Sequence, residues 1–274
     1  MEDRMWFKDF MNLYFENPEA SYRLKQEKMP TKLYKFQPIS DSIREQRLKT
    51  VKENKLWVCN SLYLNDPYDC NAFYYLEDEI RQMIKYHIGK NPILTSVDDK
   101  MKEVESLLFG FRSNLEIACF SEELYNMPLW GNYADNHRGI CIEYDFSKIP
   151  SNNDFSKMLF PVGYDEKRYN ITNLLMSLVN NDKKSNPYIL FFLILMKHCS
   201  WEYEQEWRFI NFNYDKTQRR GTVIDIPVKP TAIYFGLNCS SDDIEEISSL
   251  VDTNETSLYK LKTQNGEFFD LGIL

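Results

Sequence analysis

The 274 residues suffice for one large domain or two small ones, and 43% hydrophobic content with 18 Tyr, 18 Phe and 5 Trp supplies an interior that needs neither disulfides nor metal. Lysine and arginine total 33 against 41 acidic residues, and the resulting net charge of −8 excludes general nucleic-acid coating, because such a surface repels phosphate. The six cysteines stand singly with no Cys-x-x-Cys pair, which excludes a disulfide framework and points to reduced thiols in the cytoplasm.

Met1-Glu2-Asp3-Arg4 is mixed in charge and lacks the basic and apolar stretches of a secretory signal. Over 5–15, Met5, Trp6, Phe7, Phe10, Met11, Tyr14 and Phe15 recur near helical spacing, which predicts an amphipathic helix ending before Pro18. Its apolar face packs on its own domain or on a partner. Residues 1–30 read as an N-terminal helical extension and 31–274 as a single α+β domain. Lys32-Leu33-Tyr34-Lys35-Phe36 reads as a strand closed by Pro38, followed by a helix from about Asp41 to Glu53 capped by Ser40 or Asp41. Leu56-Trp57-Val58-Cys59 is a second strand, and Asn65-Asp66-Pro67-Tyr68-Asp69 has the composition of a tight turn.

Residues 73–112 read as largely helical, interrupted at Gly89-Lys90-Asn91-Pro92. Strands follow at Glu116–Phe120 and Gly139–Tyr144, with one or two helical turns across 127–138 ended by Gly139. The Asn- and Lys-rich stretch 180–186 is a surface loop, and 187–198 a buried helix. The apolar run within that helix, Tyr188 to Met196, is about half of the ~18–20 residues that cross a bilayer, so no membrane span is expected. Strands over 203–211, 222–226 and 232–236 and a helix from Ser240 to about Val251 complete a mixed, mainly antiparallel sheet with surrounding helices. There is no internal repeat, long linker or low-complexity tract.

Chemistry concentrates in Trp201-Glu202-Tyr203-Glu204-Gln205-Glu206-Trp207-Arg208. On a strand, Glu202, Glu204, Glu206 and Arg208 share one face and Tyr203, Gln205, Trp207 and Phe209 the other. Crowded carboxylates push one another's pKa up while Arg208 pulls its neighbour's down, and such opposed shifts separate acid from base roles. The same pattern also fits a solvated edge strand with a salt bridge. Asn65 and Asp66, with Asp69, either grip a ligand or cap their own turn. Trp130, Tyr133 and His137 share a face on a helix, where they form core or stack on a purine or nicotinamide ring. Lys35 is the odd residue of its apolar strand and points to solvent or to an anionic ligand. Three scattered histidines give no zinc pattern, and Gly-x-Gly-x-x-Gly, Walker-type and Gly-x-Ser-x-Gly motifs are missing, so carboxylate chemistry or binding remains.

Leu33–Phe36, Leu56–Val58, Asn65–Asp69, Cys119-Phe120-Ser121, Leu129-Trp130 through Tyr133-Ala134-Asp135, His137–Tyr144, and Lys197 with Trp201–Arg208, taken in order, resemble the bacterial domain-of-unknown-function family two-nine-seven-one over about residues 32–240. That family more often has Ser-His where this chain has Gly131-Asn132, and it carries no assigned reaction. The layout of a Tyr-bearing first strand, a helix, a short aromatic strand and a late Glu-x-Glu strand is similar to the ADP-ribosyltransferase fold, including toxin-like and DNA-modifying branches of bacterial defence. That second likeness implies a split sheet and NAD as substrate, with Glu206 as catalytic carboxylate and Glu204 as its companion. Tyr34, Lys35 and Tyr133 would line the nucleotide pocket, and Asn65, Asp66, Trp130, His137 and Arg208 complete the candidate binding set. The implied partners are a nicotinamide nucleotide and a macromolecular acceptor or partner protein, and no metal is expected. Two other readings stay open. One is a non-enzymatic module binding a nucleotide or protein, and the other a hydrolase or nuclease holding magnesium through Asp66, Asp69, Glu204 and Glu206.

Overall fold

A computed structural model describes residues 6–39, 42–90, 96–150, 152–179, 188–215, 220–264 and 267–273. The expected caps Ser40 and Asp41, the Asn91-Pro92 part of the breaker and the 180–186 loop lie outside these.

The chain opens with helix α1 (Trp6–Glu16), and at Asn17-Pro18 a second helix, α2 (Pro18–Lys28), starts at once. Asn17 accepts the Ala20 N–H at 3.1 Å, and Pro18 occupies the first helical turn, where its lacking N–H leaves no bond unmade. The sequence reading took Pro18 only as a stop signal and missed α2. The apolar stripe of α1 turns inward, because Phe7 and Phe10 join Phe160, Phe192, Ile194 and Met196 in one buried cluster. Phe7 presses so closely on Gly163 that a Cβ there would collide with its ring. Of the two readings of that face, packing on its own domain is the one observed.

Strand β1 (Lys32–Gln37), helix α3 (Arg44–Lys52), strand β2 (Lys55–Asn60), the short strand β3 (Phe73–Tyr74), helices α4 (Glu77–Lys90) and α5 (Val97–Ser113), strand β4 (Leu115–Ser121), helix α6 (Met127–Tyr133) and strand β5 (Ile140–Asp145) follow. Ser96 caps α5 by accepting the Asp99 N–H at 3.2 Å, beside the acidic pair Asp98 and Asp99 that suits a helix N-terminus. Then come α7 (Asp154–Lys157), β6 (Leu159–Pro161), β7 (Gly163–Asp165), β8 (Tyr169–Asn170), α8 (Thr172–Val179), α9 (Tyr188–Leu193), β9 (Met196–His198), β10 (Glu206–Phe212), β11 (Gly221–Asp225), β12 (Pro230–Phe235), α10 (Ser241–Leu250), β13 (Ser257–Gln264) and β14 (Glu267–Ile273). The fold is α+β, with a mixed, mainly antiparallel sheet ordered β11-β2-β4-β1-β5-β12-β13-β14, β10 attached beside β4 and β6 beside β10.

Strand β4 is where the sheet forks. One edge pairs with β10 along its whole length, from Ser121 opposite Glu206 to Leu115 opposite Phe212. The other edge is shared: β2 takes the beginning, with Cys59 opposite Ile117, and β1 takes the end, with Tyr34 opposite Ser121. Between those contacts β1 and β2 diverge, and the space they leave is the cavity described below. Packing fixes the fork from behind, because Leu33, Val58, Ala118, Phe120, Trp207 and Phe209 all belong to the largest buried cluster.

Later parts of the chain also depart from the sequence reading. The helix expected over 187–198 stops at Leu193, and Met196–His198 instead pairs with β7 in parallel, Lys197 opposite Tyr164. The strand expected from 203 begins at Glu206, since Cys199–Glu204 forms a 3₁₀ turn and Gln205, with φ of 42°, reverses the backbone before β10. The last expected strand, 232–236, is followed by β13 and β14, which the sequence reading did not register. No helix among the described residues is long and apolar enough to cross a membrane.

Candidate functional site

Strand alternation puts Glu206 and Arg208 on the face of β10 opposite Trp207 and Phe209, whose rings enter the main core. Arg208, fully buried, holds Glu206 side-on through Nε to Oε1 at 2.7 Å and Nη2 to Oε2 at 3.1 Å. Its Nη2 also reaches Asp69 Oδ1 at 2.6 Å, and its Nη1 donates to the Ile194 carbonyl at 2.6 Å. From β9, Lys197 Nζ lies 2.6 Å from Glu204, 3.1 Å from Glu206 and 3.4 Å from Asp69. Glu204 ends the 3₁₀ turn and accepts the Tyr133 hydroxyl at 2.7 Å on its second oxygen, and Asn65 donates to that hydroxyl at 3.3 Å. Ser121 donates to the Glu204 carbonyl at 2.6 Å, which ties the turn to the end of β4.

All five ionisable groups are nearly inaccessible to solvent, so each charge needs a partner inside the protein. Asp69, Glu204 and Glu206 meet two cations at ion-pair distance, Lys197 and Arg208, and Lys35 is a third basic group close enough to feel the charge of Glu206. Burial pushes Glu206 up, but Arg208 and Lys197 overcome it and hold its carboxyl well below the usual range. Burial and then the charge of Glu206 push Glu204 above its ordinary value, against Lys197 and the Tyr133 hydrogen bond. Of the two, Glu204 is displaced toward its protonated form and Glu206 toward its anion. Burial lowers Lys197, yet Glu206 and Asp69 keep it firmly protonated.

This cluster forms one wall of a cavity of about 250 Å³ that fills the fork of the sheet. Tyr34, Lys35 and Phe36 of β1, Trp57 and Cys59 of β2 and Cys119 of β4 form the others, together with Tyr63, Leu129 and Tyr133. Lys35 extends under the fork, its Nζ 3.5 Å from the Cys119 carbonyl and 5.5 Å from the centre of the Phe120 ring. Burial lowers its pKa.

Of the residues singled out in the sequence, Tyr34, Lys35, Asn65, Tyr133, Glu204 and Glu206 line this one cavity, and Arg208 stands directly behind it. Asp66 does not reach it, because its carboxylate accepts the Tyr68 N–H at 2.9 Å and caps its own turn. Trp130 and His137 do not line it either. Helix α6 ends at Tyr133, and Asp135, Asn136 and His137 all take positive φ, so the face expected to join Trp130, Tyr133 and His137 is broken. Trp130 is buried, donates to the Leu124 carbonyl at 2.8 Å, packs edge-on against Phe36 and stacks on His137 behind the pocket. Glu202 lies on the 3₁₀ turn, off the carboxylate face it was expected to share.

Lys197 is the central residue to which sequence reasoning gave no chemical role. It follows the most apolar run of the chain directly, a lysine in apolar surroundings like Lys35, and that signal could have found it. The carboxylates proposed to surround magnesium converge instead on the Lys197 ammonium, with Asp66 absent from the group. Among the described residues no set of three or more His, Cys, Asp or Glu is placed to hold a metal.

No curated protein and no solved structure matches this chain. Residues 129–209, which run from the helix bearing Tyr133 through Lys197 and Glu204 to Arg208, match the family described as Protein of unknown function (DUF2971), so the resemblance read from the sequence holds across the segment that supplies most of this cluster.

Proposed function

We propose that the cavity binds a nicotinamide nucleotide and cleaves its nicotinamide–ribose bond, passing ADP-ribose to water or to a macromolecular acceptor. The observation that carries this reading is the meeting of Glu204, Glu206, Lys197 and Tyr133 with the rings of Tyr34, Phe36 and Trp57 around one hollow in the sheet. At about 250 Å³ it lies just under the ~300–1,000 Å³ of drug-sized sites and suits the ring-and-sugar portion, with the rest of the nucleotide leaving by the mouth. An ionised Glu204 at the cavity wall favours a cationic pyridinium over a neutral ring, and an occupied site in turn favours ionised Glu204.

When the C1′–N bond breaks, its electron pair leaves with the nicotinamide nitrogen and positive charge develops on the sugar. Fixed carboxylates in a water-poor pocket stabilise that charge without reorganising. The oxygen or nitrogen of water or acceptor then bonds to C1′, and its proton passes to Glu204. Tyr133 and Lys197 hold the two Glu204 oxygens in place for that transfer. Consumption of NAD, or marking of a macromolecule, fits an effector acting as a toxin or in phage defence.

Purified protein incubated with NAD, alone and with cell lysate as a source of acceptors, is expected to release nicotinamide, measured by chromatography. Glu204→Gln should lower release by ~10²–10⁴-fold, the usual range for losing a positioned acid–base group. Glu206→Gln should abolish release too, but it also strips an ion pair from the core, so Glu204→Gln with an unchanged melting profile is the decisive variant. Wild-type protein that releases no nicotinamide in either setting overturns the reading.

A further inference from the structure

A second hollow lies on the other side of β10 from the main core. Its walls are α1, α2, α5, β6, α9 and the end of β10, and its volume, about 1530 Å³, exceeds the ~300–1,000 Å³ of ordinary ligand pockets. Phe10, Phe111, Phe160, Phe191 and Phe212 make its interior aromatic. Lys25 sits at its polar end with 1% of its surface exposed.

We propose that this hollow binds a single-chain acyl carboxylate, its chain among the phenylalanines and its head group on the Lys25 ammonium. The charge arrangement around Lys25 carries the inference. Lys197, comparably buried, is surrounded by three carboxylates, whereas no carboxylate of the described residues pairs with Lys25. Its Nζ donates to the Ser156 and Lys157 carbonyls at 2.9 and 3.2 Å and lies over the Phe160 and Tyr22 rings at 4.6 and 4.7 Å, dipoles and quadrupoles without a counter-charge. Burial brings its pKa down to about 7. An anionic head group removes that cost, since it both pairs the ammonium and fixes its proton. The rest of the lining leans the same way: Arg23 and Lys157 accompany Lys25, and Glu19 is the one carboxylate among the described lining residues. Lys157 is engaged with Asp154 at 2.9 Å and Arg23 is exposed to solvent, so Lys25 is the buried cation that can anchor a head group. A long apolar chain suits a hollow of this volume and aromatic lining, and the site shares no lining residue with the nucleotide cavity, so it stands whether or not NAD is cleaved.

Calorimetric titration with dodecanoate, dodecanol and dodecyltrimethylammonium tests the assignment. Wild-type protein is expected to bind dodecanoate at least ~10-fold more tightly than dodecanol and to reject the ammonium, and Lys25→Met should erase the preference for the acid. Leu107→Trp, at a half-exposed lining position outside the core, should weaken dodecanoate binding by crowding one wall of the hollow. If Lys25→Met does not fold, the head-group series and Leu107→Trp decide. Equal affinity for acid and alcohol, a preference that survives Lys25→Met, or dodecanoate binding unchanged in Leu107→Trp overturns the proposal. Binding to phosphatidylglycerol vesicles without binding of dodecanoate overturns it in favour of a membrane lipid.

Discussion

Glu204 and Glu206 stand two residues apart, share Lys197 as a partner and are displaced in opposite directions from the same ordinary value of 4.5. The consequences for stability are opposite in sign. For Glu206 the folded value lies below the unfolded one, so its stabilisation is present above pH 4.5 and fades as the pH falls toward the folded value. For Glu204 the folded value lies above 4.5, so the folded state binds the extra proton and stability is lost as the pH rises through that window. Glu204→Gln carries no titrating group there. Its stability relative to wild type is therefore expected to improve as the pH rises from 4.5 to the folded value, by up to ~1.4 kcal/mol per pH unit, and to level off beyond. Urea midpoints across pH 4–8 read this directly. A difference that stays flat would mean that Glu204 ionises as a surface carboxylate does, and its proton-exchanging role would go with it.

At the scale of elements, legibility followed periodicity. β1, β2, β4 and β5 were visible because short apolar or alternating runs sit between turn residues, and α10 because Ser240 caps it by accepting the Asp243 N–H at 3.1 Å. Elements shorter than a pattern were not: β9 spans three residues and β3 two, and both exist through pairing with distant strands that local sequence does not announce. Glycines show the same division between local and distant causes. Gly131 lies inside α6 with nothing within 4 Å of an added Cβ, so Gly131→Ala should stabilise by ~0.4–1 kcal/mol through the unfolded chain's lost freedom. At Gly163 an added Cβ meets the Phe7 ring and, at 2.9 Å, the Met196 sulfur, so Gly163→Ala should cost ~1–3 kcal/mol by forcing α1 away from β7. Thermal melts of the two variants should move in opposite directions. A neutral Gly163→Ala would mean that α1 is loosely docked.

Across the whole molecule, most of the site was legible and its assembly was not. Lys35 stands out as the odd residue of an apolar strand, Glu204 and Glu206 as crowded carboxylates, Tyr133 by its helical spacing and Tyr34 only through the likeness to the ADP-ribosyltransferase fold, but the fork that gathers them depends on β4 sharing one edge between β1 and β2. The first 30 residues, read as an extension, give the sharpest remaining test of how the molecule is built. Phe7 and Phe10 lie in the same cluster as Ile194 and Met196, and Ile194 supplies the carbonyl that holds Arg208, while Met196 adjoins Lys197. α1 and α2 thus reach the carboxylate cluster through two layers of packing. Deleting residues 1–28 uncovers those aromatics, and each fully buried Phe withdrawn from a core carries about 3–5 kcal/mol, a large share of the ~5–15 kcal/mol that holds a domain together. The truncated chain is expected to lose its cooperative melt and to bind a hydrophobic dye, with any nicotinamide release lost alongside. A truncated protein that melts as sharply as the full chain would show instead that the forked sheet stands without its N-terminal helices, and that they are an appendage after all.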